Sequence, residues 1–158
     1  MFVTACSFSA SCGGKKLNMD NAKKFVEKTL EESTGQKPAA SCPASVDIKK
    51  GGKFECTARF GPGVEAKLVI EQDDDEGNVT IKAITGIVPV KRIEAQIVEG
   101  IAKQRNVQVE VNCGERVRAA TANAKFQCAA KDASGQTGKV DVTIKDSEGN
   151  VSWEVVPN

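Results

Sequence analysis

The second half of this 158-residue chain repeats the first, cysteines included. Phe54-Glu55-Cys56-Thr57-Ala58-Arg59 returns as Phe126-Gln127-Cys128-Ala129-Ala130-Lys131, and Glu76-Gly77-Asn78-Val79 returns as Glu148-Gly149-Asn150-Val151, both 72 positions on. Cys42 and Cys113 correspond at 71 positions, so one residue was gained between the two cysteines of the second copy. A repeat of this period predicts two small units rather than one medium domain. Each unit is too small for its apolar core alone to supply a comfortable margin of stability.

The cysteines answer that shortage. The chain has 6 Cys, no histidine and no Cys-x-x-Cys pair, which argues against zinc or thioredoxin-type chemistry and for an oxidising compartment. Buried free thiols are the alternative; the recurrence of both cysteines at equivalent places weighs against it. The expected bridges are Cys42 with Cys56 and Cys113 with Cys128. Closing a loop of roughly 15 residues stabilises a domain by about 3 kcal/mol.

The formal net charge is +1, with Lys and Arg interspersed among Asp and Glu. That balance provides no field for nucleic acid or for an acidic membrane, and no nucleic-acid partner is expected. The absence of histidine removes the commonest general base, and no serine sits in a Gly-x-Ser-x-Gly context. A non-enzymatic chain without a cofactor is the expectation.

Val3-Thr4-Ala5-Cys6 has the form of a bacterial lipobox, in which a cysteine following small residues becomes lipidated after signal cleavage. Cys6 is the expected lipidation site, and Ser7 to Lys16 suits a flexible tether. Only Met1 to Ala5 precede it, less than the basic and apolar stretch of a signal peptide, so residues 1–19 read as a lipobox remnant plus tether. Cys12 has three open fates: pairing with Cys6, linking to another chain, or remaining free.

Residues 20–86 and 87–158 are the expected repeat units. In the first, Asp20 as N-cap and the stripe Ala22, Phe25, Val26, Thr29 and Leu30 predict a helix to Ser33, stopped by Gly35. Gln36 to Ser41 reads as a loop. Strands are predicted at Val46–Lys50, Lys53–Phe60, Glu65–Gln72 and Asn78–Ile84. In the second unit the helix runs about Lys91 to Gln104 on Ile93, Ile97 and Ile101. Val107, Val109 and Val111 alternate towards Cys113, and Phe126–Lys131, Lys139–Lys145 and Val151–Val156 follow as strands. Thr85 to Pro89 is too short and apolar for a free linker, so the units are expected to pack together. The fold class is α+β, a tandem repeat with one helix on a four-stranded antiparallel sheet in each unit.

The helix, the Ser41-Cys42-Pro43 corner, the Gly51-Gly52 turn and Phe54-Glu55-Cys56 together resemble the small domain of unknown function found in actinobacterial-type lipoproteins. The second copy carries Asn112-Cys113-Gly114 at the corner and Ala122-Asn123 at the turn. The resemblance implies fold and an envelope location, and brings no activity. In architecture alone the chain is similar to the secreted beta-lactamase inhibitory proteins, whose inhibitory surface is rich in aromatics. This chain has 1 Trp, 6 Phe and no Tyr.

Asp73-Asp74-Asp75-Glu76 is the sharpest local feature. Clustered carboxylates suit a hard cation, but the spacing is not that of an EF-hand. The second copy has Lys145-Asp146-Ser147-Glu148 there, so the shared part is a hairpin turn. These four residues are weak metal candidates only. Trp153 falls where the first copy has Ile81, on the face expected to meet the helix, and reads as core. Lys23, Lys24 and Lys28 read as the solvated helix face. The functional expectation is a lipid-anchored cell-envelope protein, facing the periplasm or surface and binding a protein or envelope component. The alternatives are a secreted or periplasmic enzyme inhibitor and, least, a cation-binding module.

Overall fold

The computed structural model describes residues 14–157; Cys6, Cys12 and the lipobox-like run lie outside the described residues. Apolar residues at helical spacing form α1 (Met19–Thr34) and α2 (Val90–Arg105), burying Ala22, Val26, Leu30 and Thr34 in one and Val90, Ile93, Ile97 and Ile101 in the other. The structure corrects the start of α1. Its N-cap is Asn18, whose side chain accepts from the Asn21 N–H, and Asp20 lies in the first turn. Phe25, expected within the buried stripe, lies at its border and stands 37 % exposed. Gly35 closes α1 and Asn106 closes α2, both in the left-handed conformation.

Two four-stranded antiparallel sheets carry these helices. The first runs in the order β1 (Ala39–Ser41), β2 (Lys53–Gly61), β3 (Val64–Gln72), β4 (Val79–Thr85). The second contains β6 (Val109–Asn112), β8 (Lys125–Asp132), β9 (Thr137–Ile144) and β10 (Val151–Val156) in the order β10-β9-β8-β6. The fold is therefore α+β, as expected.

One strand is displaced from its predicted place. Val46–Lys50 is not a ladder strand, and its position in the sheet belongs to Ala39–Ser41, expected as loop. The reason is that the backbone of Val46–Lys50 pairs with the chain entering α1, where Lys16 bridges Asp47 antiparallel, and that its other side is held by Gln72, which is 2 % exposed. Its side chain donates to the Asp47 carbonyl at 3.0 Å and accepts from the Lys49 N–H at 3.1 Å, holding the segment as a loop at the sheet end. The second unit has Ile144 at the corresponding position.

The units meet through a third, two-stranded sheet of β5 (Ile87–Pro89) and β7 (Val117–Ala119). Successive residues of β5 enter different cores: Ile87 packs with Val26, Leu30 and Leu68, while Val88 packs with Ile93, Val140 and Val142. Val117 joins the first core as well. Hence Ile87 and Val117, assigned by sequence to the second unit, complete the core of the first. Arg116 donates to the Gly35 carbonyl, Arg92 to the Gly149 carbonyl at 2.6 Å, and the Gly86 N–H to Ser147 at 2.8 Å. Gly86, at φ 88°, lies so close to the Glu65 carbonyl that a side chain there would clash.

The same pairing recurs at the front of the first unit. Lys16 bridges Asp47 antiparallel, with the Leu17 N–H donating to Val46 at 2.9 Å and the Ile48 N–H to Lys15 at 2.8 Å. The chain entering each helix is thus zipped to the chain that follows each first cysteine.

Trp153 is half-buried against the second core. Its indole lies on Gly100 of α2, where an added methyl would overlap the ring. In the first unit the corresponding pair is Ile81 and Thr29, so a larger strand residue is matched by a smaller helix residue. Gly100→Ala removes a helix-interior glycine, a change that ordinarily stabilises by about 1 kcal/mol. Here it is expected to lower the urea midpoint, and combining it with Trp153→Ile to restore it. A stabilised single variant would contradict this packing.

Candidate functional site

Of the four carboxylates proposed as metal candidates, those of Asp73, Asp74 and Asp75 are engaged in local hydrogen bonds. Asp74 accepts from the backbone N–H groups of Glu76, Gly77 and Asn78 at 2.9, 3.0 and 3.1 Å, and from the Asn78 side chain. Asp73 accepts from the Thr80 hydroxyl at 2.7 Å and Asp75 from the Lys50 N–H at 2.8 Å. Asp146 repeats the device in the second unit, accepting from the Glu148 and Asn150 N–H groups at 3.0 and 3.1 Å and from the Asn150 side chain at 2.8 Å. The shared element is an Asx-capped hairpin. Among the described residues no group of three or more potential ligands is placed to hold a metal ion.

The cysteines are joined as Cys42–Cys56 and Cys113–Cys128, with Cα–Cα separations of 4.4 and 4.1 Å. Cys56, Cys113 and Cys128 are buried in the cores, so these bridges brace the packing rather than present reactive sulfur. Arg118 stacks over the Phe126 ring at 4.2 Å and donates to the Cys113 carbonyl at 3.2 Å, fixing β7 against the second sheet.

The asymmetry between the units makes the site. At the C-terminal end of α1, the first unit is closed. Thr34 is buried and donates to the Leu30 carbonyl at 2.6 Å, Gln36 donates to the Phe60 carbonyl at 2.9 Å, and Phe60 packs on the core. Ala66 is fully buried, and Ile87 and Val117 lie over that core from the seam. At the same end of the second unit, Thr34 is replaced by Arg105, Gln36 by Val107, Phe60 by Asp132 and Ala66 by Gly138. The result is a groove of about 390 Å³. Ile101, Val107, Val109, Ala130 and Val155 give it an apolar wall, and Arg105 and Asp132 stand among them. Val107 is 41 % exposed. A methyl added at Gly138 would meet nothing within 4 Å.

The Asp132 carboxylate is committed to its own turn, accepting from the Ser134 side chain at 2.6 Å and the Gln136 N–H at 2.9 Å. The Ser134 hydroxyl foremost, helped by the turn N–H groups, holds its pKa below the usual aspartate value against the opposing effect of desolvation. Among the described residues the groove therefore combines an aliphatic wall, a fixed anion and a guanidinium, with no histidine, thiol or paired carboxylate in its lining. Such a lining is suited to binding and orienting an occupant. Ile101, Val107 and Val109 are legible in the sequence only as helix and strand periodicity, and no motif marks the groove as a site, because the signal lies in substitutions between the copies rather than in a pattern within either.

Residues 1–77 match the family model described as a domain of unknown function (DUF4333). The match spans α1, β1 to β3 and the Cys42–Cys56 bridge, and ends at the hairpin before β4. No curated protein and no solved structure matches the chain.

The turn aspartates predict a small acid sensitivity. Hydrogen bonds from the Asn78 and Asn150 side chains, then from turn N–H groups, hold Asp74 and Asp146 below the ordinary aspartate pKa. A depressed folded pKa contributes stability above the unfolded value, about 3.9, and loses it as pH falls through the folded value. The Tm gap between the wild type and Asp74→Asn/Asp146→Asn is expected to be constant above about pH 5 and to shrink below about pH 4. A gap independent of pH would show that the carboxylate charge is irrelevant to the turns.

Proposed function

We propose that the chain is a non-enzymatic, lipid-anchored protein of the bacterial cell envelope, built from two copies of one small disulfide-held domain. In this reading Cys6 carries the lipid, the segment from Ser7 up to the paired residues Lys15 and Lys16, which belong to the first unit, is the tether, and the paired units bind a protein partner or envelope component. Support for an extracytoplasmic location comes from the two bridges and the lipobox form of Val3 to Cys6; the match over residues 1–77 supports the domain reading.

The observation that carries binding is the apolar groove of the second unit, uncovered among the described residues, at the place where the first unit is closed. The inhibitor reading draws less support. The chain's tryptophan is engaged with Gly100, and the groove wall is aliphatic, whereas inhibitory hot spots are enriched in aromatics.

Two experiments test the reading. Expressed in a bacterium behind a complete lipoprotein signal peptide, the protein is expected to partition into the detergent phase, and Cys6→Ser to release it into the aqueous phase. Aqueous partitioning of both would overturn the anchor. A photo-crosslinker at Val107 is expected to give a discrete adduct in intact envelopes, while one at exposed Lys23 does not. Indistinguishable smears from both positions would remove the groove from the function.

A further inference from the structure

The interface between the units shows what covers such an end. In the first unit, two branched aliphatic side chains, Ile87 and Val117, are delivered by a short antiparallel ribbon, whose approach is marked by the contact of Gly86 with Glu65 and Ala66 and of Arg116 with Gly35. The corresponding residues in the second unit are Thr137, Gly138 and Asn106. Thr137 and Gly138 line the groove, and Asn106 lies between its lining residues Arg105 and Val107.

A second copy of this chain is a poor occupant. Among the described residues, the ribbon it could offer in the same way pairs Lys16 with Asp47, as Ile87 pairs with Ala119. That register puts Lys16 where the plug has Ile87, and Ser45 where it has Val117. Head-to-tail stacking would press a lysine and a serine onto an aliphatic wall beside Arg105, so the fold's own end-to-end contact does not propagate.

The charge in the groove identifies the remaining requirement. Asp132 is held by its turn, whereas Arg105 enters no salt bridge among the described residues. We infer that the groove seats a β-ribbon of a protein partner presenting two branched aliphatic side chains and a carboxylate directed at Arg105. The inference rests on the binding role proposed above and names the partner's chemistry.

The probe is a backbone-cyclised hairpin peptide carrying Ile87-Val88-Pro89 opposite Val117-Arg118-Ala119, made with a flanking glutamate or glutamine. Titrated into the isotopically labelled full chain, the glutamate peptide is expected to give saturable amide shifts at Ile101, Val107, Gly138 and Val155. It should bind about two- to fivefold more tightly than the glutamine peptide, the range of a partly exposed ion pair. Arg105→Gln should erase that difference. Gly138→Val, which fills open space at an extended residue, should abolish the shifts while leaving the Tm unchanged or raised. Absence of saturable shifts at millimolar peptide, or shifts that survive Gly138→Val, would overturn the inference. So would concentration-dependent self-association in sedimentation that Gly138→Val removes, because the occupant would then be a second copy. A discrete Val107 adduct in envelopes without hairpin binding would reject this partner chemistry alone; loss of both would reject the binding role too.

Discussion

Ile87 and Val88 are neighbours on one strand, yet they are buried in different cores. Side chains alternate across an extended strand, so a three-residue segment placed between two units contributes to both. Full burial of such side chains contributes about 1.5–3 kcal/mol each, a large share of the stability of a unit this small. The seam also completes the backbone of what surrounds it. The Val90 N–H at the start of α2, where Pro89 gives no side-chain cap, donates to the Arg116 carbonyl at 2.9 Å. The Ala120 N–H donates to the Gly86 carbonyl at 2.9 Å. The disulfides brace each unit from within, and the seam makes the first unit dependent on the second.

That dependence explains the asymmetry of the ends. The first unit has an alanine, a phenylalanine and a buried threonine where the seam docks, and the second has a glycine, an aspartate and an arginine. An end that nothing in the described chain covers would be expected to become polar throughout. The second unit instead keeps Ile101, Val109, Ala130 and Val155 along its groove. Retained apolar lining together with removed bulk is the combination that leaves room for an occupant.

Much of this was legible from residues close together in sequence. Both helices, the Gly35 stop, the two bridges and the Asp74 and Asp146 hairpins follow from local spacing and from the repeat, which acts as an internal control. What escaped the sequence depends on partners far along the chain. Val46–Lys50 alternates like a strand, but the chain entering α1 and the Gln72 side chain capture its backbone groups. Ala39–Ser41 lacks β-branched residues and pairs because β2 presents an edge to it. Phe25 keeps helical phase yet lies at the border of the buried face, where it lines a surface groove with Leu17, Ile48 and Val79. The groove of the second unit is readable only by setting Phe60 against Asp132 and Ala66 against Gly138, and only once the structure shows that these positions share one end.

The shared seam is tested most directly by native-state hydrogen exchange on Ile87→Ala and Val88→Ala. A large-to-small change in a core costs about 2–5 kcal/mol for isoleucine and somewhat less for valine. Its local effect reports which core the residue belongs to. Ile87→Ala is expected to reduce protection mainly at Leu68 and Ile70, and Val88→Ala mainly at Val140 and Val142. If both variants deprotected the second unit alone and left Leu68 and Ile70 unchanged, the seam would belong to one unit, and a strand shared between two cores would be contradicted.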